Sequence, residues 1–163
     1  MIYLKTTTGK GLGYGSAFIN NVYKIQYSKD YTYISTNSIP AYSIGQWLNS
    51  SNNATGQNFT FKIPRSPTVP VNKTAVPFGH FGVWIDGVSM FNAWNNKSYN
   101  NSGVWQEVDY TMMKAFYDSC NGYPSYSNSE YHISVNPVCL YNISNSSHSP
   151  LLGFAFDGYP VYG

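Results

Sequence analysis

Apolar and polar positions alternate with a period of two along VYKIQYSKDYTYIST (22–36). Tyr23, Ile25 and Tyr27 share one face, and Tyr31, Tyr33 and Ser35 continue the pattern, as a half-buried pair of strands requires. NFTFKIP (58–64) is the next strand signal, closed by Pro64 and Pro67. FGVWIDGVSMF (81–91) sets Asp-Gly between two apolar runs, and LLGFAFDGYPVYG (151–163) repeats that layout. Asp-Gly between such runs predicts a hairpin turn. Only EVDYTMMKAFYDS (107–119) carries helical spacing, with Val108, Met112, Ala115 and Phe116 on a common face. The remainder is short runs punctuated by Gly, Pro, Asn and Ser. The pattern predicts a mainly β, antiparallel domain, sandwich or barrel-like, with at most one short helix. TTTGKGLGYG, near the start, has no periodic apolar face. Residues 1–30 therefore read as an N-terminal extended arm or linker with strand character, and 31–163 as the β domain, which the strand-like ending leaves open as incomplete at its C-terminus.

Composition places this domain outside the cell. Charged residues make up 10% of the chain, against about a quarter in ordinary globular proteins. In their place stand 18 Asn, 20 Ser and 16 Tyr. An aromatic content of 18% argues against disorder. A net charge of +2 without a Lys/Arg cluster excludes a nucleic-acid footprint. No apolar run is long enough for a membrane-spanning helix. MIYLKTTTGKG lacks the apolar stretch of a secretory leader, so the sequence reads as a mature or partial chain. Asn-X-Ser/Thr occurs at Asn49, Asn53, Asn58, Asn72, Asn96, Asn100, Asn142 and Asn145. Composition alone would give about three such sites. The excess points to a secreted or cell-surface glycoprotein; the alternative is a Ser/Asn-rich surface protein without sugar.

Both cysteines, Cys120 and Cys139, lie in CNGYPSYSNSEYHISVNPVCL (120–140) with His132 between them. In a sequon-rich chain a cysteine pair reads first as a disulfide, here stapling a short loop. Zinc needs four ligands at suitable spacing, and Cys120, Cys139, His132 and a distant His148 supply them irregularly. Free thiols are the remaining alternative.

SNSEYHISVNPVCL, followed by HSPLLGFAFDGYPVYG, resembles the YHYH-domain family of extracellular proteins. YISTNSIPAYSIG, PFGHFGVWIDGVSMFNAWNN and DSCNGYP follow that family's order of segments, so the likeness spans roughly residues 31–163. The resemblance implies a domain type and little chemistry. Three positions depart from its pattern, two of them histidines in the family. The namesake Tyr-His-Tyr-His is here Tyr131, His132, Ile133, Ser134, and the family's Cys-Asn-Gly-His-Pro is here Cys120, Asn121, Gly122, Tyr123, Pro124.

His80, His132, His148 and Asp157 are the candidates for a metal site, with Asp86 a further carboxylate; each histidine filling a polar notch is the simpler reading. There is no Gly-X-Ser-X-Gly elbow and no telling pair of carboxylates. Asp86-Gly87 and Asp157-Gly158 read as turns. Trp47, Trp84, Trp94 and Trp105 are candidates for stacking on sugars, though such residues more often pack a core. No cofactor is implied and no catalytic residue is assigned. The expected function is an N-glycosylated structural or adhesive subunit, assembling with copies of itself by strand addition through the arm. The alternatives are a metal-dependent or hydrolytic extracellular enzyme, or a monomeric recognition module of a larger secreted chain.

Overall fold

The structure, a computed structural model, describes residues 3–5, 21–47, 51–144 and 146–163. Its first sheet contains β1 (Tyr3–Lys5), β2 (Val22–Tyr27), β3 (Tyr31–Thr36) and β4 (Phe59–Pro64), in that spatial order and antiparallel throughout. The period-two segments thus become adjacent strands. Tyr27 stands opposite Thr32, and Ile34 opposite Phe61. The boundary placed at residue 30 falls inside the β2–β3 hairpin, which Ser28 closes by accepting a hydrogen bond at Oγ from the Tyr31 N–H.

The second sheet is built on the two Asp-Gly hairpins. One joins β5 (His80–Trp84) to β6 (Ser89–Phe91). A two-stranded ribbon, β7 (Trp94–Lys97) with β8 (Gln106–Val108), leads into α1 (Asp109–Met113) and a 3-10 turn over Lys114–Phe116. Next come β9 (Tyr123–Pro124) and β10 (Tyr131–Ile133), then the second hairpin, β11 (Leu151–Ala155) with β12 (Pro160–Tyr162). The sheet order is β12-β11-β5-β6-β10-β9, with β10 parallel to β6 and the other pairings antiparallel. Gly87 takes φ +87° in the β5–β6 turn, a conformation that disfavours any side chain. Its carbonyl also accepts a hydrogen bond from Thr36 Oγ1, tying this turn to the first sheet.

The two sheets pack as a sandwich. Phe61 and Ile63 of β4 meet Val83 of β5, with Ile34, Phe59, Phe154 and Phe156 around them. Each fully buried side chain of this size contributes about 2 kcal/mol. A larger core, centred on Ile39, Trp84, Val88, Met90, Tyr131, Ile133 and Leu152, fills the space between the second sheet and the segments wrapped over it.

The helix is shorter than its spacing predicted. Val108 belongs to β8, and Val108 and Met112 are 48% and 50% exposed, so the expected apolar face is not the buried one. Of the four expected residues Phe116 packs on the core, together with Met113, and Asp109 is the buried residue of α1. Pairing of β8 with β7 takes the first residues of the expected helix. No helix among the described residues is long and apolar enough to cross a membrane.

Candidate functional site

The site grows from the loop that holds the cysteines. Cys120 and Cys139 form a disulfide, with Cα atoms 5.1 Å apart. Asp118, two residues earlier, fixes the turn beside it. Its Oδ1 accepts from the N–H groups of Cys120 (2.9 Å) and Gly122 (3.0 Å). Its Oδ2 accepts from the Gly45 N–H (3.0 Å) and the Tyr131 hydroxyl (3.1 Å). A buried carboxylate is tolerated when its lone pairs are filled in this way. Tyr131 runs directly over Gly122, where an added Cβ would lie 2.3 Å from the tyrosine ring and hydroxyl. The first tyrosine of the motif is therefore a wedge locking strand β10 to the stapled loop, and Gly122 leaves it room.

His132, the next residue, points the other way. Its ring stacks on Phe91 (4.0 Å between centroids) and contacts Tyr123 (4.4 Å). Nδ1 lies 3.1 Å from the Glu130 carbonyl. A carbonyl only accepts, so Nδ1 carries the proton and Nε2 keeps a free lone pair. Burial holds the imidazole pKa below its usual value, against the pull of the Glu130 carbonyl and the Glu130 and Asp109 charges. The neutral form is the resting state.

That ring lines a cavity of about 300 Å³ together with Phe91, Trp94, Asp109, Tyr123 and Ser134. Asn92, Asn95, Asn96, Ser125 and Tyr126 complete its polar rim. Asp109 is held by two phenols: Tyr117 donates to Oδ2 (2.5 Å) and Tyr123 to Oδ1 (2.9 Å). Burial first, and the Asp109 carboxylate second, push both phenols far above their usual range, so they stay protonated donors. Tyr123 and Ser134, the two positions where a histidine of the family pattern is replaced, both line this cavity beside His132. In place of two imidazoles the cavity has a phenol, already committed to Asp109, and a small hydroxyl.

The other candidates lie elsewhere. His80 Nε2 pairs with Glu130 Oε1 at 2.5 Å, edge-on to Phe59, Phe61 and Phe91. Burial raises the Glu130 pKa, but the hydrogen bonds from His80, Ser89 and Asn128 and the His80 charge outweigh it, and the net shift is downward. His148 is exposed and rests against Tyr162. Asp157 Oδ1 accepts from the Tyr159 N–H in the β11–β12 turn, as Asp86 Oδ1 accepts from Val88 in the β5–β6 turn. Among the described residues no three His, Cys, Asp or Glu side chains are grouped to hold a metal ion. A larger cavity of about 710 Å³ lies against the exposed segment carrying Val69, Pro70 and Lys73; it contains no histidine.

Sequence reasoning singled out His80 and His132 but missed Asp109, Glu130 and Asp118. No recognised motif marks these carboxylates. Their partners lie up to 73 residues away in sequence, and only the folded chain brings them together. Of the tryptophans, Trp47 and Trp84 are buried, whereas Trp94 and Trp105 are exposed.

Six of the eight sequon asparagines fall on described residues, and all six, Asn53, Asn58, Asn72, Asn96, Asn100 and Asn142, are exposed. Asn49 and Asn145 lie outside the described residues, as does most of the expected N-terminal arm.

Among curated proteins none matches the chain, and no solved structure does. A family model described as YHYH protein matches residues 60–163. That span runs from β4 through both hairpins and includes the Tyr131 wedge, His132 and the stapled loop. The chain belongs to the YHYH protein family.

Proposed function

We propose that the protein is an extracellular, N-glycosylated structural subunit that polymerises by strand exchange through its N-terminus. The observation that carries this reading is the seat of β1. It pairs with β2 over only three positions, Tyr3 with Tyr27, Leu4 with Gln26 and Lys5 with Ile25, at the edge of the first sheet. A few ladder hydrogen bonds contribute about 1 kcal/mol each, so the pairing is weak within one chain. The same seat beside β2 is available to the β1 of another copy, with the same contacts. Residues 6–20 separate β1 from the rest of the domain, and fifteen residues of extended chain span up to about 50 Å, enough to bridge neighbours. Giver and receiver use different surfaces, so a non-reciprocal exchange runs head to tail and produces a filament wherever its rotation does not close a ring.

Exposure of every described sequon supports the glycoprotein part of the reading, because an attached sugar has to stand in solvent. The disulfide fits an oxidising compartment. A sugar at Asn58, next to edge strand β4, would also shield the domain from unwanted edge pairing. The test is site-by-site mass spectrometry of natively purified protein after enzymatic glycan release. The six described sequons are expected to be modified; unmodified asparagines throughout would overturn the glycoprotein reading.

A further inference from the structure

The cavity beside His132 has a chemistry of its own. Among the described residues no Lys or Arg lines it, so it offers no fixed positive charge to phosphate or a carboxylate. Its wall offers aromatic faces, neutral amides and hydroxyls, the lone pair of His132 Nε2 and the Asp109 carboxylate. That set suits a neutral ligand with an apolar face and several O–H donors. A pyranose ring answers the description: its C–H face lies on an aromatic ring while its hydroxyls reach the polar groups. The volume, about 300 Å³, is at the small end of ligand cavities and fits one sugar ring better than a chain.

The cavity rim also points to the source of that sugar. Trp94 and Asn96 are two residues apart on β7, whose pairing with β8 shifts register between Trp94 and Lys97, and both line the cavity. Trp94 lines the cavity and is 44% exposed; Asn96 is exposed at its rim and opens the sequon Asn96-Lys97-Ser98. Among the described sequons, Asn96 alone has an aromatic residue two positions before it. Its side-chain amide makes no hydrogen bond to a described residue. Tyr126, 60% exposed, lines the same cavity and adds a second aromatic ring.

We propose that this cavity is a carbohydrate subsite, filled by the first N-acetylglucosamine of the glycan on Asn96 of the same chain, stacked on Trp94. The inference rests on the glycoprotein reading and adds to it a fixed seat for one sugar. The seated ring covers His132 and Asp109 and removes exposed aromatic surface.

The experiment is NMR of the full glycosylated chain carrying ¹³C-labelled N-acetylglucosamine, with Trp94→Ala and Trp94→Tyr alongside. Ring-current stacking shifts the signals of the sugar on Asn96 upfield relative to those at the other sequons. Trp94→Ala should return them to the common position, while Trp94→Tyr keeps part of the shift and controls for folding. Signals at Asn96 that match the other sequons in the unmodified sequence overturn the proposal. So does a bare Asn96 beside occupied sequons, which leaves the glycoprotein reading intact; bare asparagines everywhere overturn both. In Asn96→Gln, saturable binding of free N-acetylglucosamine, with no upfield shift in the parent protein, would assign the cavity to an external sugar and overturn the internal one.

Discussion

Asp118 shows how much one carboxylate can organise. Four donors from three segments converge on it: Gly45, Cys120, Gly122 and the Tyr131 hydroxyl. Asp118→Asn replaces one accepting oxygen by an amino group facing donors, and should cost about 3 kcal/mol in urea unfolding. Tyr131→Phe removes a single donor and should cost about 1 kcal/mol. Two opposing pH effects also belong to this scale. Glu130 and His132 both have lowered pKa values in the fold. For Glu130 the stabilisation is complete above its unfolded value and is lost as pH falls through the folded one. For His132 the unfolded chain takes up a proton below about pH 6.5 while the buried ring resists, so stability again falls with pH. Asp86 acts in reverse: burial pushes its carboxyl from 3.8 up to about 6. Its contribution is full below 3.8 and is lost as pH rises through about 6. Asp86→Asn keeps the oxygen that accepts from Val88 and should raise the thermal midpoint at pH 7, with the gain vanishing by about pH 4. Little of this was legible in the sequence. The motif residues could be named, but the Gly45 N–H on Asp118 and His80 on Glu130 come from distant segments, and the nearer phenols on Asp109 form no recognisable motif.

At the scale of elements, the strongest sequence signals were local ones. Asp86-Gly87 and Asp157-Gly158 mark their hairpins because Asp bonds the following backbone and Gly takes the positive φ. The period-two run 22–36 marks β2 and β3 in the same way. Strands β7, β9 and β10 left no such trace. They are two to four residues long, too short for a period to show, and β10 joins β6 in parallel across a separation of more than 40 residues. The expected helix was cut back because Gln106–Val108 gained a strand partner in β7. Two predictions follow from the elements themselves. Phe61→Ala should cost about 4 kcal/mol and loosen the first sheet from the second, seen as faster amide exchange in β2–β4 than in β5 and β11. Reducing Cys120–Cys139 should cost about 3 kcal/mol, with the loss concentrated in amide protection around Gly122 and Tyr131.

The whole molecule offers two weakly committed features on different parts of its surface: a three-residue strand at a sheet edge and a set of exposed sequons. On the proposed reading, strand exchange would use the first, and glycans on the second would limit where other copies can pair. The most direct measurement is sedimentation of natively purified protein against a form lacking residues 1–20, which leaves β2, β3 and β4 in place. The account predicts large, regular polymers for the intact chain and a folded monomer for the shortened one. Intact protein that sediments as a monomer, or polymers that survive the loss of β1, would contradict it.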